Sequence, residues 1–318
     1  MSSAGTLAAV KVRPPTQADF SAVLDLVTAA DVAVVGESDW TEDALRAEWH
    51  QLDLEHDAWL IEFGSRVAAY AAYDDRGGGR LIADGYVHPD LRERGLGSRL
   101  IDITEEHARN SIPRQPAGLR IYLQNPTLVG DDCTPNLYAR RGYAPAEHQF
   151  RMVRELDAPP KVRAPAGIEI RLYREPVERR AVHTVIQEAF ATEPRSRRRT
   201  FEEWAPRVFE RLGFDPTLVW VARDGHELVG ANVCSWKDGG DWGWIGMLGV
   251  LPSHRGRGIG EALLRTAFAE FWHRGERRVA LGVVADNAIA TRLYERAGMH
   301  VLYTIVVYEK ELRAAQDG

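Results

Sequence analysis

Cysteine is almost missing from this chain. Cys133 and Cys234 lie far apart and belong to no CxxC or Cys/His ligand spacing, which excludes a disulfide framework and a clustered metal site. That usage points to a reducing, cytoplasmic setting with no metal. Lysine occurs only at 11, 161, 237 and 310, so most of the basic charge is arginine. No run of eighteen apolar residues is present, and the opening MSSAGTLAAVKVRPP has no basic segment leading into a long apolar core. The expectation is a soluble, unprocessed chain with no membrane partner. Basic excess is absent too: the formal net charge is −6 and the pI about 6.0, against a nucleic-acid partner. The one dense basic run, Arg195 to Thr200, reads either as a solvated loop or as an anion contact.

Two familiar phosphate-binding fingerprints are also missing. GxxxxGK[ST] does not occur, and the GxGxxG pattern fails because Leu100 and Leu263 stand where its third glycine belongs. Two other glycine-rich loops are present. HPDLRERGLGSRLI (88–101) and LPSHRGRGIGEALL (251–264) align Arg92 with Arg255, Gly95 with Gly258 and Gly97 with Gly260 at one offset, 255 − 92 = 163. Downstream, LYARRGY (137–143) matches LYERAGM (293–299), pairing Tyr138 with Tyr294 at 294 − 138 = 156. Self-similarity at long period signals a duplicated unit. The first copy is seven residues longer between its loop and its tyrosine, and the expectation places that excess in Asn125 to Asn136.

A chain of 318 residues exceeds one ordinary core, so two domains are expected. The Pro/Ala/Gly-rich stretch DAPPKVRAPAG reads as the linker, giving domains 1–157 and 167–318 around 158–166. Periodicity predicts a common order. The first copy has a strand at 10–13, helices at 20–33 and 42–50, and strands at 58–62, 66–73 and 81–87. A helix at 96–110, a strand at 119–123, a short helix ending near 141 and a closing strand at 149–154 complete it. The second copy has a strand at 168–173, helices at 177–191 and 201–211, and strands at 218–222, 227–236 and 242–250. A helix at 259–274, a strand at 279–284, a helix at 288–296 and a strand at 303–308 follow. The class implied is α/β (α+β), a mixed sheet flanked by helices in each copy.

Each glycine loop precedes an amphipathic helix, with Leu96, Leu100, Ile101 and Thr104 on one apolar face and Leu263, Leu264, Ala267, Phe268 and Phe271 on the other. Backbone N–H groups at a helix start lack partners, the macrodipole adds positive charge, and an absent Cβ admits an anion. A phosphate-bearing ligand is the natural occupant, with Arg255 and Arg257, or Arg92 and Arg94, adding charge-assisted contacts.

Arg-x-x-Gly-x-Gly after a strand ending Val-x-Pro, found twice and each time followed by Leu-Tyr-x-Arg-x-Gly, resembles the GCN5-related N-acetyltransferase (GNAT) superfamily. The resemblance covers nearly the whole chain and implies a tandem duplicated GNAT fold, each copy a mostly antiparallel mixed sheet with a splayed parallel strand pair holding CoA. It implies an acetyl-CoA-dependent N-acetyltransferase acting on a small-molecule primary amine, as a monomer or homodimer. The diphosphate would lie against Arg255, Gly256, Arg257, Gly258, Ile259, Gly260 and Glu261, or Arg92, Arg94, Gly95, Leu96, Gly97 and Ser98. The pantetheine arm would pair along Leu248, Gly249 and Val250 or along Gly85, Tyr86 and Val87, with Asn287 contacting it. Tyr294, or its counterpart Tyr138, would be the acid that protonates the departing thiolate.

The general base implied by the family is a carboxylate on the strand before the loop. Asp84 fits it in the first copy; the second offers Trp244 and Met247, leaving Asp241 and, through water, Glu193 as acids within reach. Trp236, Trp242 and Trp244 read either as core or as an aromatic acceptor pocket. The second copy, with its Asn287/Tyr294 pair, is expected to be the productive one. Tandem order and the FDP at 214–216 are also similar to actinobacterial members of the family that acetylate a cysteinyl glucosaminyl-inositol. A non-catalytic acyl-CoA-binding regulator is the other reading.

Overall fold

A computed structural model describes residues 10–193, 197–211, 213–237 and 242–315. In chain order the elements are β1 (Val10–Arg13), α1 (Phe20–Val35), α2 (Glu42–Gln51), β2 (Ala58–Phe63), β3 (Arg66–Asp75), β4 (Arg80–Val87), α3 (Leu96–Ser111), β5 (Ile121–Leu128), α4 (Thr134–Arg140) and β6 (Ala144–Glu155). There follow β7 (Ile168–Leu172), α5 (Arg179–Ala189), α6 (Phe201–Phe209), β8 (Val219–Asp224), β9 (Glu227–Lys237), β10 (Trp242–Val250), α7 (Ile259–His273), β11 (Arg278–Val284), α8 (Ala288–Arg296) and β12 (His300–Arg313). The order is the one periodicity predicts, and the repeat is visible as the same succession run twice.

The chain forms two compact units, but they do not divide at 158–166. One comprises 1–148 with 303–318 and the other 149–302. Strand pairing is the reason. In unit 1 the strands run β1-β2-β3-β4-β5-β12, and β5 is closed by the far end of the chain, from Ile305 opposite Leu128 to Arg313 opposite Ile121. In unit 2 the order is β7-β8-β9-β10-β11-β6, and β11 is closed from before the linker, from Gln149 opposite Val284 to Glu155 opposite Arg278. The last strand of each sequence copy therefore serves the other unit. The linker itself, 158–166, belongs to unit 2.

Each unit is antiparallel except at one place, β4 beside β5 and β10 beside β11. Period-two alternation sets the two faces. In β3, Tyr70 and Ala72 pack with α1 and α2, while Ala69, Ala71 and Tyr73 turn towards α3. In unit 2, Val221 and Val233 meet Val182, Trp204 and Phe209 on one side, and Ile245 meets Leu264, Phe268 and Phe271 on the other. The helix before each strand pair and the helix after it are thus held on opposite faces.

The seven-residue excess lies elsewhere than in 125–136. Register places Leu81 opposite Leu123 and Gly243 opposite Val279, and Leu123 and Val279 already differ by 279 − 123 = 156, the offset of the two tyrosines. The extra residues therefore precede Leu123, in the single-turn helix 112–114 and the loop between α3 and β5. Residues Asn125 to Leu128 belong to strand β5.

Gly243 shows how tightly α7 lies on unit 2. A Cβ there would come within 2.5 Å of the Phe271 ring, which is fully buried. Gly243→Ala should destabilise the protein by about 1–3 kcal/mol through overpacking. Urea unfolding of the variant against wild type checks this.

Candidate active site

The strands on either side of the parallel join part company. In unit 2, β10 and β11 pair only at Gly243/Val279 and Trp244/Ala280. Yet β10 stays on β9 as far as Val250, and β11 stays on β6 as far as Val284. Between them a gap opens whose edges are backbone N–H and C=O groups without a ladder partner. A β-bulge at Gly246, between Ile245 and Met247, turns β10 at the start of the gap, and Gly246 is exposed. Unit 1 opens the same way after Ile82/Gln124, but β3 and β4 run in unbroken register from Asp75/Leu81 to Ala69/Val87.

The glycine loop ends β10 and starts α7. Gly258, the N-cap of α7, has φ 79°, and Gly95 at the head of α3 has φ 78°. A side chain is strained in that left-handed conformation, whereas space is not the constraint: a Cβ at Gly95 meets nothing within 4 Å. The second glycine has a different cause. A Cβ on Gly260 would stand 3.2 Å from Leu293, and one on Gly97 would stand 3.2 Å from Leu137, so the helix start is pressed onto the leucine beside each tyrosine. The helical ladder begins only at Ala262, which donates to the Gly258 carbonyl. Among the described residues, the N–H groups of Ile259, Gly260 and Glu261 find no acceptor in the protein, nor do those of Leu96, Gly97 and Ser98 ahead of Arg99.

The loop arginines, expected to hold phosphate, are already engaged. Arg255 donates to the carbonyls of Ala189 (2.7 Å) and Val250 (3.3 Å), tying the end of α5 to the end of β10. Arg257 pairs with Asp224 at 2.7 Å, Arg92 lies 4.0 Å from Asp131, and Arg94 stacks over Phe63 at 5.3 Å. The groups left open to an anion are therefore the amides rather than the guanidinium groups. Of the acids and cations proposed from sequence, Asp241 and Arg195 lie outside the described residues.

α8 brings two candidate residues to the gap. Asn287 caps the helix by accepting from the Ala290 N–H at 3.0 Å, and its amide nitrogen donates to Glu193 at 3.0 Å. Tyr294 lies seven residues on, about 10 Å along the same helical face. It is 9% exposed, and its hydroxyl makes no hydrogen bond to a described residue. Burial, with the charge of Glu193 second, pushes the phenol up to about 12. Gly249 lets α5 sit directly on β10, since a Cβ there would meet Ala189 at 2.8 Å. Trp236 packs edge-on against Phe271 in the core, and Trp244 lies under the Arg151 guanidinium at 4.6 Å.

Unit 1 differs at several corresponding points. Glu93 stands in the place of Gly256 and takes φ 60°, and Asp131 stands in the place of Asn287. Tyr138 is buried against Tyr143 and Tyr308, with its hydroxyl 3.5 Å from the Pro126 carbonyl; burial and the nearby Asp84 raise its pKa far above the usual phenol value. Asp84 accepts from the Tyr86 hydroxyl at 3.1 Å, and Trp40 donates to that hydroxyl at 3.3 Å. Tyr86 fills the position of Gly249, and Met247 is the register counterpart of Asp84.

Comparison with known proteins decides what this arrangement belongs to. The Acetyltransferase (GNAT) family model matches residues 180–299, and an Acetyltransferase (GNAT) domain model matches 55–145. A mycothiol acetyltransferase of Geodermatophilus obscurus is 31% identical over 88% of this chain and 91% of its own length. The chain belongs to the GNAT acetyltransferase family. A GCN5-related N-acetyltransferase of Sphaerobacter thermophilus superposes with a TM-score of 0.88 at 32% identity, over 97% of this chain and 98% of that one. A tandem GNAT protein from the clavulanic acid biosynthesis pathway shares the fold, with a TM-score of 0.76 at 18% identity over 98% and 100% of the two chains. Both units are GNAT folds, and this chain is a tandem GNAT acetyltransferase. Among the described residues no helix is long and apolar enough to cross a membrane, and no cluster of metal-ligating side chains occurs.

In this GNAT chain the acids of unit 1 carry a pH signature. Enclosure raises Asp84 to about 6; enclosure and then the charge of Asp84 raise Glu48, which accepts from Tyr70, to about 7. An acid whose pKa rises on folding favours the fold while protonated, and that contribution fades as pH climbs from the free carboxylate value, about 4, through the folded one. Stability should therefore fall between pH 5 and pH 8, and Glu48→Gln should reduce the fall. Urea midpoints at the two pH values check this.

Proposed function

We propose that the protein moves an acetyl group from acetyl-CoA to the primary amine of a small molecule, and that unit 2 performs the transfer. The opened β10/β11 ladder carries this reading. A gap edged by unpaired amides suits the amide-bearing pantetheine arm, which would lie along Leu248, Gly249 and Val250 as an added strand. The N–H groups of Ile259, Gly260 and Glu261, without acceptors among the described residues, suit the diphosphate beyond the end of β10. Asn287, at the head of α8, has a second amide hydrogen to offer the arm.

Chemically, the amine nitrogen attacks the thioester carbon, and a carbonyl oxygen that gains charge is stabilised by β10 backbone N–H groups. The C–N bond forms, the C–S bond breaks, and Tyr294 supplies the proton to the sulfur. Burial suits it to this: a phenol held at about 12 stays protonated until a thiolate develops beside it. Unit 1 keeps the loop and the gap, so it retains CoA binding, weakened by the extra carboxylates of Glu93 and Asp131. Its candidate acid and base, Tyr138 and Asp84, are engaged by the protein, which argues against turnover there.

The relatives named mycothiol acetyltransferase favour a finer reading of the acceptor, the cysteinyl amine of a glucosaminyl-inositol conjugate, in the cytoplasm. Met247 and Trp244 stand where a strand carboxylate was expected, so acceptor recognition must come from outside β10.

Incubation with acetyl-CoA and a panel of amines including that conjugate, read by mass spectrometry, should show acetylated product and free CoA. Tyr294→Phe should lower kcat by about 10²-fold. Binding of CoA without any acetyl transfer would leave a regulator instead of an enzyme. Calorimetry with CoA should count two sites of unequal affinity, with Gly258→Val removing the tighter and Gly95→Val the weaker; binding unaffected by both would remove the loops from the account.

A further inference from the structure

Strand β10 carries no acid, but one carboxylate from elsewhere in unit 2 stands at the head of α8. Glu193 follows α5, its backbone N–H turned onto the Phe190 carbonyl, and its Oε1 meets Asn287 Nδ2 at 3.0 Å at the head of α8. Its charge acts on Tyr294, adding to burial in raising that phenol. Among the described residues, nearby arginines of unit 2 pair with other acids. Arg198 pairs with Glu188 at 2.7 Å, Arg197 with Glu203 at 3.2 Å and Arg180 with Glu202 at 2.9 Å. Among the described residues of this arginine-rich chain, Glu193 has no basic partner. It is half-buried, and no described residue engages its second oxygen.

A half-buried carboxylate without a counterion favours a cation that arrives with the ligand. A primary alkylamine at neutral pH is such a cation, and as an ammonium it has no lone pair with which to attack. We infer that Glu193 is the acceptor-side carboxylate of unit 2, pairing with the substrate's ammonium group and taking its proton before acyl transfer. This rests on the acetyl-transfer reading above and narrows the acceptor to a positively charged primary amine.

The protons balance. Glu193 removes one proton from R–NH3+ and later passes it to solvent. The neutral nitrogen attacks, and the C–N bond forms as the C–S bond breaks. Tyr294 gives its proton to the sulfur, and its phenolate is reprotonated by the second proton leaving the nitrogen. The sum is an amide, free thiol and one proton released. Asn287 holds the carboxylate by its Oε1, leaving the other oxygen for the ammonium.

Glu193→Gln tests this, because a glutamine carbonyl still accepts from Asn287 while the charge is lost. The variant is compared with wild type using the best primary amine of a panel and using hydroxylamine, which is largely uncharged at neutral pH and needs neither counterion nor base. Expected are a loss of about 10²-fold or more in kcat/KM for the amine, a change of only a few-fold for hydroxylamine, and an unaltered Kd for CoA by calorimetry. Equal losses for both nucleophiles would reduce Glu193 to a structural role and overturn the inference, as would full activity towards the amine. Glu193→Asp, which keeps the charge, should retain more amine activity than Glu193→Gln; the reverse order also counts against it. Wild type that binds CoA but acetylates neither nucleophile would instead defeat the acetyl-transfer reading itself.

Discussion

Everything in this protein turns on a parallel ladder that stops early. β10 and β11 share only two register pairs before each goes on alone with its outer neighbour. An unmade ladder leaves polar backbone groups that need partners, and here they are left for water or a ligand. The position of the gap then determines the rest. The glycine loop follows β10 and the capped helix α8 follows β11, so both begin where the two strands have parted, and Tyr294 packs in the core beneath α7 and β11.

The two units share this geometry and differ in chemistry. Unit 2 opens its gap with a bulge, gives the Tyr294 hydroxyl no partner among the described residues and lays α5 on Gly249. Unit 1 keeps a straight β4, seats Tyr86 where that glycine would be, and uses its hydroxyl to hold Asp84. A duplicated scaffold has thus been kept by its packing while the groups that would react were drawn into internal hydrogen bonds.

Much of this is legible in the amino-acid sequence because the motif residues answer to local physics. Gly95 and Gly258 are dictated by a left-handed N-cap, and Gly97 and Gly260 by contact with Leu137 and Leu293, so all four recur at fixed spacing. Tyr294 is found through the same repeat, and Asn287 through the family resemblance, since unit 1 has Asp131 in its place. Long-range pairing is not legible. Nothing local to 149–155 or 303–313 states which β-strand each will join, so the exchange of closing strands and the true unit boundary were beyond reach. Offsets alone likewise could not place the seven extra residues, because only register shows that Leu123 matches Val279. The arginines misled for a related reason: their charge suggests phosphate, but their partners Ala189, Asp224 and Phe63 come from distant segments. Glu193 carries no motif; the sequence offers it only as an acid within reach through water, and its bond to Asn287 is what ties it to the head of α8.

The most direct measurement of the central claim is backbone amide hydrogen exchange with and without CoA. The account predicts new protection in two stretches of unit 2, the loop and helix start from Gly256 to Glu261 and the free edge of β10 from Ile245 to Val250. Protection confined to other parts of the chain, or none despite saturation with CoA, would contradict it.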